Sequence, residues 1–200
     1  VCVDTTTRMR TGQGMLVGNS AAFTFLVNAE TEHNEYVASR PFRDNAGGVH
    51  SYALMPGDRT SYLDELKAGS EVLIVDHTGA TSQATVGRVK VERRPMLMVE
   101  AVLVSSGAKG KAAAGDGKTP DGAGSKASGE SGGKSSCGAS AKAAVGGAVF
   151  LQNAETIRLV TPEGKAVSVV ELKEGDTVLC RLDAAGRHFG VRITEDIKEG

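Results

Sequence analysis

Thirteen residues, Arg40 to Tyr52 (RPFRDNAGGVHSY), gather side chains able to do acid–base and anion chemistry. The guanidiniums of Arg40 and Arg43 match a carboxylate or phosphate in bidentate geometry. His50 supplies an imidazole, which suits a general acid or base. Asn45 and Tyr52 supply an amide and a phenol that orient carbonyl or hydroxyl groups. Pro41 and the pair Gly47-Gly48 favour an irregular loop over a helix or strand. Binding residues concentrate on loops, although many charged loops are only solvated connections. A second cationic motif, Arg187-His188-Phe189-Gly190, lies near the end of the chain and joins the candidates.

The elements that must position these residues read as short strands. Val1 to Val3, Met15 to Val17 and Ala22 to Val27 are apolar or alternating, and Gly12-Gln13-Gly14 is a turn between the first two. The spacing GxGxxxG over Gly12, Gly14 and Gly18 enters a further β run. A dinucleotide fingerprint instead leads into a helix whose N-terminus holds the pyrophosphate, so the likeness carries no weight. Ser51 to Met55 is a strand, followed by the turn Pro56-Gly57-Asp58. Leu63 and Leu66 give one helical turn that Gly69 ends, and Glu71 to Val75 resumes the β pattern. Met96 to Val104 and Ala148 to Gln152 are further strands.

Residues 105–147 change character. They are dominated by Gly, Ala, Ser and Lys and contain no aromatic, Leu or Ile. Such a composition buries too little apolar surface to offset its ordering entropy, and it is expected to be a disordered insert.

The chain also repeats itself. Phe25 to Thr31 (FLVNAET) answers Phe150 to Thr156 (FLQNAET), and Glu65 to Gly69 (ELKAG) answers Glu171 to Gly175 (ELKEG), in the same order. The fold expected is mainly β: two related small barrel-like modules with short helical turns, 1–104 and 148–200, joined by the insert. The second module repeats residues 22–100. Between the two repeated blocks the first copy is longer, and most of its extra length is the Arg40–Tyr52 loop. Extra length on a shared scaffold favours function over packing.

Composition excludes several classes. A formal net charge of −1, with no basic patch interleaved with aromatics, gives no footprint for nucleic acid. No apolar run approaches the roughly 20 residues of a membrane span. Cys2, Cys137 and Cys180 are odd in number and widely spaced, which argues against a disulfide framework and fits a reducing compartment. The chain starts at Val1 without Met and reads as part of a longer protein, soluble and cytoplasmic or plastid.

Five stretches together resemble the archaeal-type 3-dehydroquinate synthase family, also called dehydroquinate synthase II. They are RPFRDNAGGVHSY (40–52), YLDELKAGSEVLIVD (62–76), VGRVKVERRP (86–95), QNAETIRL (152–159) and RHFG (187–190) with the acidic tail that follows. The opening VCVDTTTRMRTGQGMLVG is similar to the plant and algal branch. The resemblance implies the C-terminal part of an NAD-dependent enzyme of aromatic amino-acid biosynthesis. Its substrate would be an anionic sugar acid, 2-amino-3,7-dideoxy-D-threo-hept-6-ulosonate, which is oxidatively deaminated and cyclised to 3-dehydroquinate. In this setting Arg40, Arg43, Asn45, Arg187 and His188 are expected to bind substrate, and His50 and Tyr52 to act in catalysis. The family pattern has an apolar residue where this chain has Asp44. The alternative is a non-catalytic β-module homologue that binds an anionic metabolite or a protein partner.

Overall fold

The computed structural model describes residues 1–33, 38–103, 145–183, 187–188 and 190–192. Two units result, Val1–Val102 with Gly146–Gly200, and Leu103–Val145. Of the second, only Leu103 and Val145 are described. The expected disordered insert therefore lies, over 104–144, outside the described residues. Gly146 and Gly147 are already strand.

Among the described residues fifteen strands follow in chain order: β1 (Cys2–Thr5), β2 (Gln13–Ser20), β3 (Phe23–Asn28), β4 (Arg43–Asp44), β5 (Tyr52–Met55), β6 (Arg59–Tyr62), β7 (Glu71–Asp76), β8 (Thr81–Lys90), β9 (Met96–Val102), β10 (Gly146–Gln152), β11 (Arg158–Val160), β12 (Ala166–Ser168), β13 (Cys180–Leu182), β14 (Arg187–His188) and β15 (Val191–Arg192). One three-residue helical turn, Leu63–Glu65, interrupts them. The mainly β, barrel-like expectation holds: one eleven-stranded sheet curls into a half-barrel. Its order is β12-β11-β3-β2-β7-β8-β1-β4, with β13 on β3, β5 on β2 and β6 on β5. β9 and β10 form a separate antiparallel ribbon, and β14 with β15 a small hairpin.

Alternation along each strand assigns its two faces. Phe23, Phe25 and Val27 of β3 enter the main core with Met15, Val17, Leu63, Val72, Val149, Leu151 and Leu159. Leu26 of β3 points to the other face, where Leu16, Leu54, Val75 and Val160 form a second apolar cluster.

The internal repeat is visible in hydrogen bonds. In the first copy Lys67 N donates to Ser70 Oγ at 3.1 Å, and Gly69 has a positive φ of 87°. In the second, Lys173 N donates to Asp176 Oδ2 at 2.8 Å, and Gly175 has φ 96°. The repeat also reaches further back than FLxNAET. Met15 pairs with Val27 and Val17 with Phe25, just as Met96 pairs with Gln152 and Met98 with Phe150. Hairpin β9–β10 thus answers hairpin β2–β3, and residues 103–145 occupy the connection that Ala21 and Ala22 close in the first copy. Hairpin tips tolerate insertion because few contacts cross them. Strands β11 and β13 of the second copy pair with β3 of the first, so the two copies share one sheet.

Candidate functional site

The Arg40–Tyr52 loop is tied down along its first half. Arg40 N donates to Glu30 O at 2.7 Å, Glu30 N to Arg43 O at 2.8 Å, Thr5 N to Phe42 O at 2.8 Å and Met9 N to Pro41 O at 2.6 Å. Pro41 lacks a donor, and its carbonyl serves instead. Arg43 and Asp44 then run as β4 against β1.

This pairing sets Arg43 opposite Asp4. Arg43 Nε donates to Asp4 Oδ1 at 2.7 Å and Nη2 donates to Oδ2 at 2.9 Å, a bidentate clamp. Arg88, on the other side of β1, adds Nε to Oδ2 at 2.8 Å. Burial works to raise the Asp4 carboxyl pKa, but the two guanidiniums outweigh it and hold the carboxyl below its ordinary range. The bond to Asp4 raises the Arg43 pKa in turn. Glu30 collects the other two polar groups: Asn45 Nδ2 donates to its Oε1, and Arg40 Nη1 donates to its Oε2 at 3.3 Å. Asp44 is fully buried. Its Oδ2 accepts from Met15 N at 2.8 Å, and its Oδ1 has no partner. Burial pushes the Asp44 carboxyl up to about 8; the Met15 bond opposes this and the nearby Glu30 charge adds to it.

The second half of the loop is different. His50 is exposed and its Nε2 lies 3.3 Å from Asn19 Oδ1. Its ring meets the Phe150 ring edge-on, with centroids 5.6 Å apart. A Cβ at Gly48 would come within 2.8 Å of His50 Cε1, so a larger residue there would move the imidazole. The Tyr52 and Tyr62 hydroxyls are 2.9 Å apart and their rings 4.6 Å apart, because β5 sets Tyr52 opposite Tyr62 on β6.

Arg187 and His188 form β14, whose hairpin partner β15 follows the turn at Gly190. Thr60 N donates to Gly190 O at 2.8 Å, which ties this hairpin backbone to β6 two residues from Tyr62. Gly190 has φ 73°, and a Cβ there would meet Thr60 O at 2.1 Å. Gly190→Ala is expected to release the hairpin from β6 at a cost of about 1–3 kcal/mol, read as faster limited proteolysis within 184–192 and a modest drop in melting temperature.

The structure therefore splits the sequence candidates. Arg40, Arg43 and Asn45 are engaged with Glu30 and Asp4, whereas His50 pairs with Asn19 and Tyr52 with Tyr62. Asp4, Glu30, Asn19 and Tyr62 were not singled out by sequence reasoning. Only the odd placement of Asp4 between Val3 and Thr5 in an apolar strand marks one of them in the sequence.

A curled β sheet with a braced loop that presents an imidazole and a phenol pair defines a β-rich domain equipped to handle a small polar ligand. The chain belongs to the 3-dehydroquinate synthase II family: residues 1–115 and 138–200 match its description as the 3-dehydroquinate synthase II C-terminal domain. It is 48% identical over 199 residues to the 3-dehydroquinate synthase of Archaeoglobus fulgidus, covering all of this chain and 49% of that protein. It is 46% identical to the 3-dehydroquinate synthase homolog of Aquifex aeolicus, again over all of this chain and 48% of the relative. The 3-dehydroquinate synthase of Methanocaldococcus jannaschii is 45% identical, with 44% of its length covered. The chain thus spans about half the length of these curated relatives. No solved structure matches it.

Proposed function

We propose that this domain forms the substrate-handling part of a 3-dehydroquinate synthase II enzyme that oxidatively deaminates and cyclises an anionic amino sugar acid, 2-amino-3,7-dideoxy-D-threo-hept-6-ulosonate, to 3-dehydroquinate. The observation that carries this reading is the whole-chain identity of 48% to the Archaeoglobus relative of that name.

The geometry supports a division of labour. When Asn19 Oδ1 accepts from His50 Nε2–H, the His50 Nδ1 lone pair is left to take a proton. Tyr62 supports the Tyr52 hydroxyl, which is placed to donate to a carbonyl or enolate oxygen. Arg40, with 41% of its side chain exposed, is placed to meet the substrate carboxylate. Arg43, clamped by Asp4, acts as a positioning residue that fixes the loop. The hairpin that carries Arg187 and His188 is tied at its Gly190 carbonyl to Thr60 of β6, which supports assigning both to substrate binding.

The resemblance also implies NAD, which would supply the redox chemistry when bound. The Gly12, Gly14 and Gly18 set does not fit a dinucleotide phosphate site. Gly14 and Gly18 lie within strand β2, where a Cβ would meet the backbone of Val27 and Phe23, and no helix begins there.

The test uses a protein of the relatives' length that contains this chain, with NADH formation followed on the amino sugar acid. His50→Gln is expected to lower turnover by about a hundredfold, at the low end of general acid–base contributions, with an unchanged melting temperature. Unchanged turnover would remove His50 from the chemistry. A whole protein that neither reduces nor binds NAD favours the non-catalytic alternative.

A further inference from the structure

The two matching hairpins of the repeat differ in what covers them. In the first copy Met15, Val17, Phe25 and Val27 share one face of β2–β3, and all four are fully buried. Their counterparts on β9–β10 are Met96, Met98, Phe150 and Gln152. Met96 and Met98 are exposed, Met98 to 53%, and Phe150 is half-buried. The opposite face of this ribbon is the covered one. Leu97, Val99, Val149 and Leu151 pack into the main core, and β10 lies against β2 and β3. The fit is close, since a Cβ at Gly147 would meet the Phe23 ring at 2.5 Å. Strand alternation then fixes Met96, Met98 and Phe150 on the outward face, because turning the ribbon over would expel its core residues.

This outward face runs into the candidate site. Phe150 lies opposite Met98 and meets the His50 ring edge-on. Single exposed apolar residues are ordinary on a surface. Here two methionines and a phenylalanine adjoin on one pleated face, and Met and aromatic residues are the types enriched in interface cores.

The point of chain entry identifies the occupant. The relatives are about twice as long as this chain, and the family description makes this the C-terminal domain, so in a protein of that length the other half precedes residue 1. Val1 is fixed beside the ribbon. Its nitrogen donates to Gly47 O at 2.6 Å, a bond that a peptide N–H can also make, and Val1, Met96 and Gln152 line one small hollow. A polypeptide entering at Val1 therefore arrives at the Met96 end of the exposed face. Tethering at that point gives an effective concentration of roughly millimolar, which keeps even a modest apolar contact closed.

We propose that the outward face of the β9–β10 ribbon, centred on Met98 and Phe150, is the surface on which the half of the protein preceding residue 1 docks. The His50 imidazole then stands at the boundary between the halves, a preferred place for a ligand site. The proposal rests on reading this chain as one half of such an enzyme, but on no step of the reaction.

Methionine oxidation by hydrogen peroxide, read by peptide mass spectrometry, compares the 200-residue chain with a protein of the relatives' length that contains it. In the 200-residue chain Met96 and Met98 are expected to oxidise fast, while the buried Met9 and Met15 lag. In the longer protein Met96 and Met98 should slow by about tenfold or more, whatever the protein concentration. Met98→Asp in the longer protein should return Met96 to the fast rate. The same substitution in the 200-residue chain should leave its urea midpoint unaltered, as an exposed position does. Equal oxidation rates in the two proteins overturn the proposal, as does a folded Met98→Asp protein that still protects Met96. Slow oxidation in the 200-residue chain, or a lowered midpoint for its Met98→Asp variant, also overturns it, because residues of this chain would already cover the face. Protection that grows with protein concentration assigns the face to a second copy instead. Turnover of the amino sugar acid with both methionines unprotected would remove the docking and leave the reaction standing.

Discussion

Asp4→Ala is expected to remove about 3–5 kcal/mol of folding stability, read as a fall in the urea midpoint at constant slope. The side chain is 7% exposed, and Arg43, its bidentate partner, is 13% exposed. Deleting the carboxylate leaves the Arg43 guanidinium in a nearly dry site with its two best hydrogen bonds gone. That uncompensated charge sets the size of the effect, not the net worth of the pair. Arg88→Ala is the control. Arg88 is 60% exposed, and Asp4 would keep Arg43, so a loss below about 1 kcal/mol is expected. Domains of this kind have about 5–15 kcal/mol in total, so Asp4→Ala should leave little margin. The pH dependence has a definite sign. The Asp4 carboxyl is held below its unfolded value, so its contribution is present above the ordinary carboxylate range and is lost as pH falls through the folded value. An Asp4→Ala chain as stable as the unaltered one would show that the β1–β4 clamp does not anchor the loop.

Much of this scaffold was legible in the sequence for a local reason. The blocks FLxNAET and ELKxG carry their own instructions: an apolar run entering a strand, and a turn that needs Gly at positive φ. The loop too was legible, because Pro41 and Gly47-Gly48 break regular structure next to functional side chains. Its internal division was not. Asp4 lies 39 positions from Arg43 and 84 from Arg88 in the chain. Nothing local to Arg43 says that β4 will lie beside β1 and hand its guanidinium to that carboxylate. The pairing of Tyr52 with Tyr62 depends likewise on the β5–β6 register, which fixes it only once the hairpin forms. The match between hairpins β2–β3 and β9–β10 was hidden because Met15-Leu16-Val17 is too short a string to stand out before its strand partners are known. The second apolar cluster was invisible for the same reason: Leu16, Leu26 and Leu54 come from three strands, β2, β3 and β5, and meet only in the curled sheet.

Asp44 leads to the second large effect, since its carboxyl is buried with one oxygen unpartnered. Its carboxyl is fully buried, and its folded value of about 8 stands well above the ordinary 3.8. Between those values the folded chain holds a proton that the unfolded chain has released. Stability should therefore fall as pH rises from about 4 to about 8, then level off. The slope has an upper limit of about 1.4 kcal/mol per pH unit from this one group. Urea unfolding at pH 5 and pH 8 measures it. Asp44→Asn keeps an oxygen to accept from Met15 N and removes the titration, so its stability should change less between the two conditions. Every other titrating group is common to both chains and cancels in the comparison. If the two proteins show the same pH dependence, Asp44 is ionised in the folded chain and must have a further hydrogen-bond donor that offsets its burial. If the difference appears, alkaline pH loosens β4 where it crosses Met15, and with it the backbone that leads from Asp44 to His50. Stability and presentation of the imidazole should then decline over the same pH range, and Asp44→Asn should relieve both.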